Sequence, residues 1–269
     1  MIRAPLSITS VLDEATDVVS LTAAPWAGVL VATALPYRFL QALFFDQLIE
    51  VSKQASQYGR LLGGTANLTV AAILIALWGR AVYARACRLA LGRGATPGRE
   101  VWRVPAAALF SYFLTSSVVL VAGTISAFTC IGLWLVSIVA GLAIGTMELN
   151  ERVSVIEPFR LVRRYARAVT LIGVSFVFFC AFFVALVNVA AAFGLVVWAL
   201  TAVGGFDAPN WDVLFSGNNR RYLLMLCAGA LVAIEPFWVA AHVVFVRKAG
   251  AQERGDDLRA WFEELRRTA

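Results

Sequence analysis

Two long stretches of this chain contain no charged residue, Val104–Met147 and Ala168–Phe206. A helix needs about 20 apolar residues to cross the hydrocarbon core of a bilayer. The first stretch therefore predicts two spans joined by a tight turn near Gly123–Cys130, and the second predicts one long span or two short ones. The alternating ten-residue segments of a membrane β-barrel are not seen in the sequence. The sequence thus predicts an all-α, polytopic membrane helix bundle.

The overall composition supports the same class. Hydrophobic residues make up 60% of the chain and charged residues 15%, whereas soluble domains carry roughly 25% charged residues. The net charge of +6 does not predict nucleic-acid binding, because basic residues beside membrane spans primarily mark the cytoplasmic side of the membrane. The four cysteines lie in separate apolar segments without a Cys-x-x-Cys or Cys/His cluster. Neither a metal nor a cofactor is predicted, and a disulfide between Cys130 and Cys227 is left open.

Six membrane spans are predicted, and the charges between them decide the orientation. With six spans, the basic segments 85–103, 152–167 and 247–267 fall on one side of the membrane, which places both termini in the cytoplasm. Seven spans would export the basic tail, so a single long fifth helix is favoured. The predicted spans are Pro25–Leu48, Ala66–Leu89, two within Val104–Met147, one within Ala168–Phe206, and Tyr222–Val246. They lie in a bundle domain, 23–248, between an N-terminal segment, 1–22, and a tail, 249–269.

The segment Leu6–Ser20 predicts an amphipathic helix rather than a span. Its acidic residues Asp13, Glu14 and Asp17 occupy the face opposite the apolar one, and Ser7 or Ser10 is expected to cap it. We expect it to lie along the membrane surface, where its acidic face suits docking against the protein's own basic loops. The apolar face is formed by Ile8, Val11, Leu12, Ala15, Val18 and Val19.

The tetrapeptide Ile-Glu-Pro-Phe occurs at 156–159 and again at 234–237. The first copy opens a basic segment before the fifth span, which predicts a second surface helix at the cytoplasmic face. Its arginines either anchor the topology or contact anionic lipid headgroups or phosphate. They are Arg160, Arg163, Arg164 and Arg167.

The second copy places Glu235 near the middle of the last span, where a carboxylate normally has a partner. Arg38 lies at a similar depth in the first span, so an intramembrane ion pair between these two residues is predicted. The alternative is that each side chain finds a carbonyl, a proton or water separately. His242, the only histidine, follows two turns later and suggests either a proton relay or a hydrogen-bonded interfacial side chain. Asn188 in the fifth span predicts an interhelical hydrogen bond.

The C-terminal tail predicts a third amphipathic helix, capped by Asp256 or Asp257. It could dock a protein partner or fold back onto the bundle or the lipid surface. Its apolar stripe consists of Leu258, Trp261, Phe262 and Leu265.

Three segments carry a resemblance to a known group of proteins. They are ITSVLDEATDVV with the following TALPYRFL, ERVSVIEPFRLVRRYARAVTLI, and PFWVAAHVVFVRKAGAQERGDDL, which ends on Glu253, Gly255, Asp257 and Leu258. The chain resembles a family of bacterial six-helix membrane proteins that includes the membrane domain of some glycerophosphoryl diester phosphodiesterases. It departs from that family at Phe245-Val246-Arg247, where a tyrosine-aspartate-arginine-like exit is usual. The resemblance implies a fold and a membrane location, not a reaction.

The sequence does not predict an enzyme. It contains one histidine, no serine-histidine-acid spacing and no paired metal carboxylates. Two classes of function remain. The basic cytoplasmic face and the surface helices favour a scaffold or accessory subunit of an envelope-associated assembly. The intramembrane Arg38 and Glu235 favour a transporter or channel for a lipid or small solute, although no inverted repeat is evident.

Overall fold

The computed structural model of the chain describes residues 6–51, 66–126, 130–147, 160–204, 216–255 and 266. Within these ranges the elements are helical and no strand occurs, which confirms the predicted all-α class. A π-helical turn at Ala23–Ala27 joins α1 to α2, and a 3-10 helix, Arg99–Trp102, lies between α3 and α4. The α-helices are α1 (Ile8–Thr22), α2 (Gly28–Val51), α3 (Ala66–Arg93), α4 (Ala106–Ser126), α5 (Cys130–Thr146), α6 (Tyr165–Ala202) and α7 (Arg220–Arg254).

The N-terminal helix α1 begins with a reciprocal cap. The Ser10 amide donates to Ser7 Oγ at 3.2 Å, and the Ser7 amide donates to Ser10 Oγ at 3.1 Å, so both predicted serines contribute. Asp13 and Asp17 are exposed. The opposite face is buried at Val11, Ala15 and Val18. One side of α1 is therefore buried, and the other carries two exposed acidic residues.

The helical backbone runs without a break from α1 into α2. Pro25 lies in the π-helical turn between them. In an α-helix its ring would clash with the carbonyl four residues earlier, and the wider π-helical turn relieves this clash. The chain thus has no interruption at the predicted boundary between residues 22 and 23.

Four stretches of described helix are long and apolar enough to cross a membrane: Ile8–Leu43, Val70–Arg93, Tyr165–Ala202 and Arg220–Gln252. The stretch Val104–Met147 holds two apolar helices, with α4 ending at Ser126 and α5 beginning at Cys130, close to the predicted turn. The fifth predicted span is one continuous helix, α6, as the charge distribution favoured. The described residues therefore belong to a membrane-embedded helical protein.

The first of two compact units comprises Met1–Gly28, Arg80–Phe178 and Pro236–Ala269. Its core contains the buried face of α1, the side chain of Tyr83 in α3, and the consecutive buried residues 239–246 of α7. Helices α4 and α5 pack against each other within it. This unit holds His242 and the basic segment 160–167.

The second unit comprises Val29–Gly79 and Phe179–Glu235. Tyr37 of α2 packs against Ala72 and Ala76 of α3. The two helices come close at Gly79, where the Thr33 side chain occupies the space that a Cβ atom would need. This unit holds Arg38 and Glu235.

Candidate functional site

A buried ion pair joins α2 and α7 within the second unit. Arg38 Nε lies 3.5 Å from Glu235 Oε2, and the two side chains are 19% and 2% exposed. Arg38 Nη1 also donates to Gln41 Oε1 at 3.1 Å. The structure thus brings together the two charged residues that the sequence predicted to pair because they lie at a similar depth in their spans.

Each partner of this pair stands beside a proline inside its helix. Pro36 lies two residues before Arg38, and Pro236 directly follows Glu235. A proline removes one backbone donor and frees a carbonyl of the preceding turn. A carboxylate in hydrocarbon is costly unless it is paired. The ion pair therefore accounts for both charges at this depth.

A second ionic cluster holds the last turns of α2 to the start of α7. Asp46 Oδ1 accepts a hydrogen bond from Arg220 Nε and Oδ2 accepts one from Arg221 Nε, both at 2.7 Å. The Asp46 residue is only 3% exposed. Sequence reasoning missed this cluster. The available signal was an acid near the end of the first span and two arginines opening the last span, on one predicted side of the membrane.

His242 is fully buried in the first unit. Its Nδ1 lies 2.8 Å from the Trp238 carbonyl oxygen, so Nδ1 carries the proton in the neutral ring. Glu235, the other residue of the predicted proton relay, belongs to the second unit, and the relay stays a prediction. The alternative prediction was a hydrogen-bonded histidine, and the hydrogen bond from His242 to the Trp238 carbonyl agrees with it.

Two glycines of α5 give α7 its close approach at His242. A Cβ atom at Gly141 would overlap the His242 ring, and one at Gly145 would lie 2.8 Å from the His242 carbonyl oxygen. Glycines four residues apart make such grooves in membrane helices. Arg88 of α3 donates to the carbonyls of Ile144 and Gly145, satisfying acceptors at the end of α5. The Gly-x-x-x-Gly spacing was visible in the sequence and was missed.

The four arginines of the basic segment do not share one environment. Arg160, Arg163 and Arg164 are exposed, whereas Arg167 is only 3% exposed. Arg167 Nη1 donates to the Leu161 carbonyl at 3.4 Å. The helical backbone is interrupted at residues 162–164, before α6 begins, so the four arginines do not lie on one surface helix as predicted. This interruption lets the chain fold back so that Leu161 reaches Arg167.

The acidic face of α1 meets a basic residue of α7. Lys248 Nζ lies 2.8 Å from Glu14 Oε2, with 9% and 30% of these side chains exposed. Farther along α1, the hydroxyls of Thr22 and Tyr83 lie 3.1 Å apart in a buried hydrogen bond. The Ile8 side chain occupies the space beside Gly173 of α6. These contacts hold α1 within the first unit.

Two further predicted residues or sets have different outcomes. Asn188 Nδ2 donates to the Val184 carbonyl of its own helix at 2.8 Å, and the residue is exposed. The predicted interhelical hydrogen bond is therefore replaced by an intrahelical one.

Helix α7 ends at Arg254 and Gly255 has a φ of 67°, a conformation that suits a helix end. The predicted docking stripe lies outside the described residues: Leu258, Trp261, Phe262 and Leu265.

Comparison with known proteins adds no identification. No family model, no curated protein and no solved structure matches the chain. The resemblance to the six-helix family therefore stays a prediction. Across the ranges that the structure describes, no group of three or more His, Cys, Asp or Glu side chains could hold a metal ion.

Proposed function

We propose that this chain is a non-catalytic, six-span protein of the bacterial inner membrane that acts as a scaffold or accessory subunit of an envelope-associated assembly. In this proposal α4 and α5 supply two spans beside the four longer apolar helices. Both termini lie in the cytoplasm, because the basic residues follow the positive-inside rule in this arrangement. The resemblance to the bacterial six-helix family supports the same architecture.

The observation that carries the proposal is that buried polar groups of the apolar helices bind other helices of this chain. The Arg38–Glu235 pair and the Asp46–Arg220 pair both join α2 to α7. The Glu14–Lys248 pair joins α1 to α7. Interactions of this kind fix the helices within each unit, as a scaffold requires, and leave these groups occupied rather than open to a substrate.

The surfaces expected to meet partners lie outside this core. Arg160, Arg163 and Arg164 are exposed and are proposed to contact anionic lipid headgroups on the cytoplasmic face. The tail beyond Gly255 is proposed to dock a protein partner through its apolar stripe. No cofactor, metal or nucleic acid enters the proposal.

Affinity purification of the tagged full-length chain in mild detergent, with mass spectrometry, tests the scaffold function. We expect one protein to co-purify in stoichiometric amount and to be lost from a Trp261→Glu/Leu265→Glu variant. A Glu263→Lys/Glu264→Lys variant, altered on the polar face of the same tail, is the matched control and should retain it. A pure chain with no protein partner would count against the scaffold function.

The Arg38–Glu235 pair favours a second candidate, a transporter for a lipid or small solute, because intramembrane charges often line transport pathways. Ala233 is exposed two residues before Glu235. A single cysteine at Ala233 in a chain without its native cysteines can be tested in sealed vesicles with a membrane-impermeant maleimide. Labelling of this cysteine from either side of the membrane supports transport. Protection of the cysteine from the reagent on both sides supports the scaffold.

A further inference from the structure

The second half of α6 presents side chains that the rest of the chain does not bury. From Phe179 to Gly204, no residue falls in the buried class. The exposed side chains on this half include Val184 at 63%, Leu195 at 64% and Trp198 at 64%. In a membrane these side chains face either lipid or another protein, and their arrangement decides between the two.

One side of this half-helix is turned toward α7. A Cβ atom at Gly229 of α7 would lie 3.1 Å from Val189 Cγ1, and the rings of Phe193 and Tyr222 are 6.0 Å apart. A helix turns about 100° per residue. Val189 and Phe193 therefore mark the inner side of α6, and residues on other sides are directed outward.

The outward side carries a regular stripe, which we call the Asn188 stripe. Its members are exposed and follow one another at intervals of four and three residues. This spacing is the heptad pattern of two helices that cross at a small angle. The stripe consists of Val184, Asn188, Ala191, Leu195, Trp198 and Ala202.

Asn188 is the residue that distinguishes this stripe from an ordinary lipid-facing surface. Its Nδ2 donates to the Val184 carbonyl, but an asparagine side chain has a second N–H and an acceptor oxygen. In hydrocarbon those groups lack the water that would satisfy them. An identical asparagine on a second helix, related by a two-fold axis, offers a matching donor and acceptor at the same depth.

We propose that the Asn188 stripe is a self-association surface and that its occupant is the same stripe of a second copy of this chain. The stripe contains no charge, so two copies placed face to face do not repel one another. Ala191, one turn after Asn188, is small enough to let the two helices approach. The two copies have the same orientation in the membrane, so the α6 helices run parallel and Asn188 meets Asn188. This inference goes beyond the scaffold function and does not depend on it.

Cysteine cross-linking of the full-length chain in native membranes tests the proposal. In a chain whose native cysteines are replaced by alanine, Leu195→Cys places a thiol on the stripe. Val196→Cys is the matched control, because Val196 is also exposed, at 56%, but is turned about 100° away. We expect mild oxidation to give a covalent dimer with Leu195→Cys and little with Val196→Cys. Equal dimer yields at the two positions, or a cross-link to a different protein, would overturn the proposal.

A second measurement isolates the role of Asn188. Replacing it by leucine on an exposed apolar face leaves the internal packing unchanged. Because an interhelical hydrogen bond in a membrane contributes modestly, we expect Asn188→Leu to weaken self-association by about 3- to 30-fold. Dilution of fluorescently labelled protein in bilayers, read by energy transfer, gives this ratio. An Asn188→Leu variant that associates as tightly as the original chain would contradict the proposed pairing.

Discussion

Gly145 of α5 lies so close to α7 that a methyl group on its Cα atom would come within 2.8 Å of the His242 carbonyl oxygen. That oxygen belongs to a helix backbone and cannot rotate aside as a side chain can. We therefore expect Gly145→Ala to separate the two helices and to destabilise the protein by about 1–3 kcal/mol, as overpacking commonly does. A lower melting temperature in detergent would show this effect.

Gly92→Ala is the control for this substitution. Gly92 lies in α3, and an added Cβ atom meets nothing within 4 Å. Alanine favours a helix over glycine by about 1 kcal/mol, so this variant should melt at the same temperature as the original chain or higher. If Gly145→Ala behaved like Gly92→Ala, the close approach of α5 and α7 would be wrong.

The Arg38–Glu235 pair predicts a non-additive pattern of stability. Removing one partner of a buried pair commonly costs about 3–5 kcal/mol, and we expect less here because Arg38 is 19% exposed. Arg38→Met and Glu235→Leu should each lower the melting temperature, and the double variant should recover most of the loss. Independent, additive losses would mean that the two side chains do not interact. The charge swap Arg38→Glu/Glu235→Arg provides a second test.

Asp46 predicts a loss of stability when its carboxylate is removed. Its two oxygens accept hydrogen bonds from Arg220 and Arg221, and the residue is only 3% exposed. Because an amide offers one acceptor oxygen in place of two, we expect Asp46→Asn to melt at a lower temperature than the original chain. Melting curves of both proteins in detergent provide the comparison, and equal melting temperatures would contradict it.

The Glu14–Lys248 contact predicts how firmly α1 is held. Lys248 is 9% exposed, so Glu14→Gln leaves a nearly buried ammonium group without its carboxylate. We expect faster hydrogen exchange in α1 of this variant, and restored protection in Glu14→Lys/Lys248→Glu. Asp17→Asn is the control, because Asp17 is exposed on the same helix. Unchanged exchange in Glu14→Gln would show that the apolar face alone holds α1.

The apolar stretches of the sequence predicted the all-helical class, because helix formation depends largely on local composition. The Val104–Met147 stretch divides near the predicted turn, and α6 is one helix. The continuous run through Pro25 was not predicted, because the π-helical turn that accommodates the proline has no strong local signature. The interruption before α6 was also missed, since it depends on where Leu161 and Arg167 find partners.

The sequence predicted contacts of the candidate site only where a charged residue lies deep within an apolar span. Arg38 and Glu235 are charges in apolar helices, and each called for a partner. Asp46 did not predict a partner, because an acidic residue near the end of a span is usually solvated. Its partnership with Arg220 joins positions distant in the chain, and only tertiary structure brings them together. The Gly141–Gly145 spacing in the sequence indicates a close helix contact, but the sequence does not show that α7 is the helix in contact.

The basic segment before α6 yields a last prediction, which separates lipid contact from structural support. Arg160, Arg163 and Arg164 are exposed, and Arg167 is buried with a bond to the Leu161 carbonyl. Replacing the three exposed arginines by glutamine should reduce the anionic lipid that co-purifies with the protein and leave its melting temperature nearly unchanged. Arg167→Gln should do the reverse, because its guanidinium supports the start of α6. Lipid mass spectrometry and melting curves on the same preparations distinguish the two roles. Loss of lipid from Arg167→Gln alone would instead place the headgroup contact at the buried arginine.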